Sequence, residues 1–288
     1  MLKLLAYLLS NGTVTQRNLL PDLDSEAKGI PKVTASPCAG AQCNKCAEEC
    51  PTDAITLVKD GTELLVKLDR GACINCSICI DSCPSGTIVS DRSTLTAARK
   101  REDLILTNRV LSNGKNGGAS SPDLVQSVKD GISAEKNGKH SNGSNPFQRS
   151  VAARVVSTGC SACDLEIGAA GNPIFDMERF GVHVVASPRF ADVLIVTGPV
   201  PIGMQDPLKR CYEAMAEPRR VIAVGTCACS GGIHKGGYTE ANGAAAVIPV
   251  DVFIPGCPPH PWSIIAGILL AMDRLPADKV KSAPSLHV

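Results

Sequence analysis

Eight cysteines between residues 38 and 83 fall into two runs of nearly equal spacing, and no other stretch limits the fold as tightly. The second run is Cys73-x2-Cys76-x2-Cys79-x3-Cys83-Pro84, and the first is Cys38-x4-Cys43-x2-Cys46-x3-Cys50-Pro51. The pair is an internal repeat, with a two-residue insertion after the first cysteine of the first run. Three thiols in one short loop can approach one compact metal group, and a fourth must return from elsewhere in the chain. The proline after each last cysteine stops that turn from running on as helix in the wrong direction. Between the runs, Ala54-Ile55-Thr56-Leu57-Val58, then Asp60-Gly61, then Leu64-Leu65-Val66-Lys67-Leu68 predicts a β-hairpin.

The second run matches the bacterial ferredoxin pattern C-x2-C-x2-C-x3-C-P, in which the fourth cysteine of each run binds the other cluster. That rule assigns Cys38, Cys43, Cys46 and Cys83 to one [4Fe–4S] cluster, and Cys50, Cys73, Cys76 and Cys79 to a second. A structural zinc module is the competing reading, but zinc sites rarely use two overlapping octets of this form. A plant-type [2Fe–2S] site could borrow Cys38-x4-Cys43-x2-Cys46, and it would leave the second run without a purpose.

Further on, three apolar strands each give way to glycine and cysteine. Val151 to Val156 precedes Gly159-Cys160-Ser161-Ala162-Cys163, Val221 to Val224 precedes Gly225-Thr226-Cys227, and Val252 to Ile254 precedes Pro255-Gly256-Cys257. In an open α/β sheet, ligands sit at the carboxyl ends of the strands. Cys160, Cys163, Cys227 and Cys257 therefore converge on a third metal centre, expected to be another [4Fe–4S] cluster. The rest of this half alternates: a helix through Leu165, a second around Pro173 to Arg179, strands at 182–185 and 193–197, and a helix over about 205–216. Strands at 221–225 and 251–254 follow, with a last helix from Pro261 to Met272. The pattern predicts a doubly wound sheet of flavodoxin-like order. Four unrelated buried thiols are the alternative, since free cysteine is commonly buried. Cys229 is too close to Cys227 for both to sit on one cubane, and Cys211 falls on a helix; both are read as non-ligands.

Gly159-Cys160-Ser161-Ala162-Cys163-Asp164-Leu165-Glu166, Gly225-Thr226-Cys227-Ala228 with Gly231-Gly232, and Pro255-Gly256-Cys257-Pro258-Pro259 occur in that order. Over about Arg149 to Leu275 the chain resembles the small subunit of energy-converting, membrane-bound [NiFe] hydrogenases, formate hydrogenlyase among them. That family includes the complex I subunit carrying the last iron–sulfur cluster before quinone. The complex I branch has two adjacent cysteines in the first motif, whereas two residues separate Cys160 from Cys163, as in the hydrogenase branch. His260 stands where many relatives carry arginine. The resemblance implies electron transfer through the clusters to a large subunit, similar to the complex I 49 kDa subunit, that carries the nickel–iron site. It further implies membrane-arm subunits, additional iron–sulfur or formate dehydrogenase subunits, and a place on the cytoplasmic face of the membrane. It also implies that Glu166 relays protons between small and large subunits; a plain helix-start carboxylate is the alternative. A quinone-linked complex I-like subunit and a stand-alone iron–sulfur carrier are the rival functions.

The chain is 288 residues long, enough for two domains, and fourteen cysteines would suit a disulfide scaffold but for their ligand spacing. A net charge of +1 argues against a nucleic-acid partner. Apolar residues reach 44% with only 3% aromatic, which suits a sheet of Val, Ile, Leu and Ala buried on both faces. Four regions are expected: an arm with an amphipathic helix (1–37), a two-cluster ferredoxin domain (38–110), a flexible linker (111–149) and the hydrogenase small-subunit-like domain (150–288). The opening helix is too short to span a bilayer and is expected to pack on a partner or lie on a membrane. The linker is dominated by Asn, Gly, Ser and Lys and would act as a tether between units that are separate subunits in relatives. His183 and His234 have no ligand spacing, and no phosphate loop, dinucleotide fingerprint or nucleophile elbow is present.

Overall fold

The computed structural model describes residues 20–34, 38, 43–60, 63–111 and 146–275. The expected N-terminal helix and most of the expected linker lie outside the described residues.

The front lobe is built from two small antiparallel sheets. β1 (Ile30–Val33) pairs with a later strand, so the expected extended arm is in part structural. A short helix, α1 (Lys45–Glu48), carries Cys46. The expected hairpin forms as β2 (Ile55–Asp60) and β3 (Glu63–Asp69), with Ile55 opposite Leu68 and Asp60 opposite Glu63. α2 (Ile78–Asp81) carries Cys79, and β4 (Ile88–Asp91) is the partner of β1, with Ile30 opposite Asp91. β5 (Ile105–Leu111) then adds to the free edge of β3. Alternation decides which face is inward: Leu64, Val66 and Leu68 of β3 are buried with Ile55, Ile88, Leu104 and Leu106. Arg70 lies at the end of β3, 4% exposed, and its guanidinium is 2.6 Å from the Asp91 carboxylate.

The rear domain is a parallel five-stranded sheet. Its strands are β6 (Val151–Ser157), β7 (Val182–Val184), β8 (Val193–Thr197), β9 (Arg220–Val224) and β10 (Val252–Ile254), in the order β10-β9-β8-β6-β7. Counted within the domain that order is 5-4-3-1-2, the flavodoxin-like arrangement expected from the sequence. All five residues of β8 are buried, as a sheet covered on both faces requires. The covering helices are α3 (Ala162–Ala170), α4 (Ile202–Glu213), the short α5 (Thr226–Ser230) and α6 (Pro261–Ala271). All eleven residues of α6 are buried, so it is a core helix, apolar all round. His260 caps it through Nδ1, which accepts from the Trp262 amide at 3.2 Å, and Pro261 occupies the first helical position. The helix expected around Pro173 to Arg179 is instead a turn followed by a 3₁₀ segment at Met177–Phe180. There the Asn172 side chain accepts from the amides of Ile174 and Phe175 at 2.9 and 3.2 Å, which closes a local turn in competition with helix. Among the described residues no helix is long and apolar enough to cross a membrane.

The two lobes meet along a hydrogen-bonded seam. Ala98 and Phe253 exchange backbone hydrogen bonds of 2.9 and 2.8 Å, so the segment before β5 covers the β10 edge of the parallel sheet. Arg99 reaches the Leu270 carbonyl at 2.9 Å and pairs with Asp273. Arg101 donates from Nε to the Cys229 carbonyl at 3.1 Å and pairs with Asp69 at 2.7 Å. Cutting the chain at an engineered protease site between Leu111 and Pro146 is therefore expected to leave the lobes together on size-exclusion chromatography. In the cut protein, Arg101→Ala should weaken that association roughly tenfold, the worth of one charged hydrogen bond. Lobes that separate on cutting, without the substitution, would show the seam to be too weak to hold them.

Candidate metal centres

The cysteines gather in three sets. Cys38, Cys43, Cys46 and Cys83 line one cavity, and Cys50, Cys73, Cys76 and Cys79 line a second. The thiols of Cys227, Cys257 and Cys160 act electrostatically on that of Cys163. Each front set includes one cysteine from the other run, Cys83 in the first and Cys50 in the second. The first cavity is walled by Val33, Val66, Pro84 and Ile88, and the second by Pro31, Ile55, Leu68 and Ile74.

Burial governs the charge of these groups. It is the largest factor pushing the thiol of Cys46 up to about 11 and that of Cys79 up to about 12, and the neighbouring thiols push the same way. Burial likewise raises Cys73 to about 11, Cys163 to about 12 and Cys227 to about 11. Cys83 behaves differently. Burial pushes its thiol up, but the amides of Ile88, Thr87 and Ser85 and the Ser85 hydroxyl outweigh that and bring it below the ordinary value. Burial holds most of these closely set thiols protonated, and a metal group bound among them would release their protons. Among the described residues no three His, Cys, Asp or Glu side chains close tightly enough for a single metal ion.

One backbone device shapes two of the sites. Ser77, between Cys76 and Cys79, and Ser161, between Cys160 and Cys163, both sit in the left-handed region, at φ 67° and 64°. Each turn throws the chain sharply into a helix that carries the second cysteine, α2 or α3. In the rear set the loop before Cys160 is braced by Thr158, whose hydroxyl donates to the Thr197 carbonyl at 2.6 Å and accepts from the Val200 amide at 3.1 Å. Asp164 ties the start of α3 to the strand ends, accepting from the Thr197 hydroxyl at 2.7 Å and from Ser157. Gly225 has φ 90°, and a Cβ there would lie 2.5 Å from the Cys163 sulfur. The cradle is thus closed by a residue with no side chain.

Cys160 and Cys257 are exposed and Cys163 and Cys227 half-buried, so the rear set opens at the carboxyl rim of the sheet. The exposed apolar side chains Leu165, Ile202, Ile233 and Tyr238 stand on the segments that follow β6, β8 and β9. Glu166 lies on α3, one turn after Cys163. Cys229 is buried, its sulfur directed at the carbonyls of Ala223 and Ile254, and burial pushes its thiol up to about 12. Cys211 packs at the margin of the core on α4. His183 and His234 are exposed, whereas half-buried His260 meets Phe175 edge-on with 5.5 Å between ring centres, and burial lowers its pKa.

Sequence reasoning missed the residues that join the sets. The Thr226 hydroxyl donates to the Cys73 carbonyl at 2.7 Å, and the Ser230 hydroxyl to the Gly71 carbonyl at 2.8 Å. Thr226 was visible only as the spacer between Gly225 and Cys227, and nothing in its own neighbourhood pointed to a partner 153 residues away. The seam places the Cys50, Cys73, Cys76 and Cys79 set next to the rear set.

Comparison with known proteins agrees with this division. Residues 160–271 match the family described as NADH ubiquinone oxidoreductase, 20 kDa subunit, and residues 37–88 match a 4Fe–4S dicluster domain. A probable membrane-bound hydrogenase subunit (mbhJ) of Pyrococcus furiosus is 47% identical over 42% of this chain and 72% of its own length. An NADH-quinone oxidoreductase subunit of Desulfovibrio desulfuricans is 39% identical over 45% of this chain and 70% of its own. Formate hydrogenlyase subunit 7 of Escherichia coli is 43% identical over 42% of this chain, a stretch that is 48% of that subunit. The chain belongs to the family of the complex I 20 kDa subunit and the hydrogenase small subunits, an oxidoreductase-complex family, and carries an iron–sulfur dicluster domain ahead of the family domain.

Proposed function

We propose that this chain is the electron-transfer small subunit of a membrane-associated [NiFe] hydrogenase complex, evolving or consuming hydrogen. Three [4Fe–4S] clusters would be held by Cys38, Cys43, Cys46 and Cys83, by Cys50, Cys73, Cys76 and Cys79, and by Cys160, Cys163, Cys227 and Cys257. Bound clusters supply one-electron storage at each position. The chain's own residues hold them, bury the two front sets more deeply than the rear one, and fix their spacing. The front lobe faces the donor or acceptor. The rear rim faces the large subunit, with Glu166 as the proton relay across that face. Twelve of the fourteen cysteines are used in this way, so the nickel belongs to the large subunit. Membrane-arm subunits would hold the complex on the cytoplasmic face.

The observation that carries the reading is the rear rim. Exposed Cys160 and Cys257 follow β6 and β10, and exposed Leu165, Ile202, Ile233 and Tyr238, the last 96% exposed, stand on the segments that follow β6, β8 and β9 at the same end of the sheet. An apolar surface around an open metal site suits a permanent partner; a soluble carrier would show a small polar docking surface. The Cys160-x2-Cys163 spacing supports the hydrogenase branch over the quinone-linked one.

Native purification with metal analysis tests this. About twelve irons are expected per copy, four for each of three cubanes, together with nickel in a co-purifying subunit. Iron without nickel would favour the quinone-linked complex, and zinc in place of iron would end both readings.

A further inference from the structure

The geometry points to Thr226 as the positioning residue that couples the second front set to the rear set, an inference that rests on the three-cluster reading above. Thr226 is 1% exposed and directly precedes Cys227. Its hydroxyl lies 2.7 Å from the carbonyl of Cys73 and 3.2 Å from the carbonyl of Gly256, the residue before Cys257. Its amide donates to the same Gly256 carbonyl at 2.8 Å. One side chain therefore touches the backbone of a front-set cysteine while its own backbone adjoins two rear-set cysteines. A short bonded route from the Cys73 sulfur to the Cys227 sulfur passes through that single hydrogen bond.

Two features make this more than a packing contact. Ser230, one helical turn on, repeats the interaction with Gly71, so α5 is laid along the front loop by both of its hydroxyls. The same geometry also gives the Cys73 carbonyl a donor at a buried seam, where an unpaired carbonyl would be costly. Losing the Thr226 hydroxyl would leave an apolar gap on the route, and electron tunnelling falls steeply with any such gap. The step is a one-electron exchange: one electron leaves the Cys73 side as one arrives at the Cys227 side, and no bond forms or breaks.

The test uses the full chain loaded with iron, reduced by a light pulse through a soluble photosensitiser and frozen at intervals for electron paramagnetic resonance. Thr226→Ser and Thr226→Ala both lack the methyl group and differ in the hydroxyl alone; Thr226→Val keeps the shape and loses the hydroxyl. The serine variant is expected to reduce the rear centre at the unmodified rate. The alanine and valine variants should do so measurably more slowly, because the route from Cys73 to Cys227 loses its hydrogen-bonded step. Iron content and the separate resonance signals should be unchanged, and the magnetic broadening between front and rear signals should weaken in alanine and valine only. If valine fails to assemble, the serine–alanine pair alone decides. Equal rates in that pair, with a normal rear signal, would overturn the role of Thr226. An unmodified chain with no rear iron–sulfur signal would instead overturn the three-cluster reading, and this inference with it.

Discussion

If the three-cluster reading proposed above holds, Gly225→Ala is expected to strip the rear set of its iron while the two front sets stay loaded. The backbone at Gly225 has φ 90°, which side-chain-bearing residues rarely adopt, and the new Cβ would lie 2.5 Å from the Cys163 sulfur. Either the sulfur moves or the turn between β9 and α5 reopens, and both remove a ligand position. Iron per chain should fall by about a third, one cubane of three, with loss of one resonance signal. Gly203→Ala is the control: it lies on α4 with nothing near its Cβ position, so iron content should not change. A Gly225→Ala protein that keeps its rear signal would show that the Cys163 sulfur does not need the place it occupies here.

Arg70→Ala should weaken the front lobe more than other single surface or seam changes. Arg70 is 4% exposed, and its guanidinium holds Asp91, the last residue of β4, at 2.6 Å. The exposed Lys32 ammonium at 3.3 Å is the other cation on Asp91 and is largely solvated. Removing Arg70 leaves the mostly buried Asp91 carboxylate with the half-exposed Lys32 as its cation, at a cost of about 3 kcal/mol, the low end for breaking a buried pair. For a lobe of this size that is roughly 10–20 °C in the midpoint of thermal unfolding. Heating the iron-loaded protein and following iron release should show the front lobe failing early and the rear set persisting. An unchanged midpoint would mean that Lys32 and solvent already neutralise Asp91.

Much of this was legible in the residues because the chemistry demands it. The two runs mark the cysteine-lined front lobe, whose dicluster character the family match supports, and Cys38, Cys43, Cys46 and Cys83 line one cavity there while Cys50, Cys73, Cys76 and Cys79 line another. The parallel sheet announces itself through runs such as Val193 to Thr197, in which every side chain is buried. The strand order is the doubly wound one that the alternation of strands and helices predicts. What escaped depends on contacts distant in sequence. β1 reads as an arm until Asp91 and its neighbours supply a partner, and β5 has no cysteine to mark it. Ala97 and Ala98 carry no pattern that announces a partner, yet they are 4% and 1% exposed, and Ala98 exchanges hydrogen bonds with Phe253 at the sheet edge. Asn172 diverted the stretch after it from helix by a local bond that hydrophobic pattern does not register.

The bridge between Ala98 and Phe253 carries a consequence for how such a complex is supplied. A free carrier must collide with its acceptor, and the rate then depends on how many copies of each are made and how quickly they diffuse. On the proposed reading, donor and acceptor centres would arrive in equal number by translation, with their separation settled once, as the polypeptide folds. Delivery along this stretch becomes a property of the molecule and not of the crowd around it.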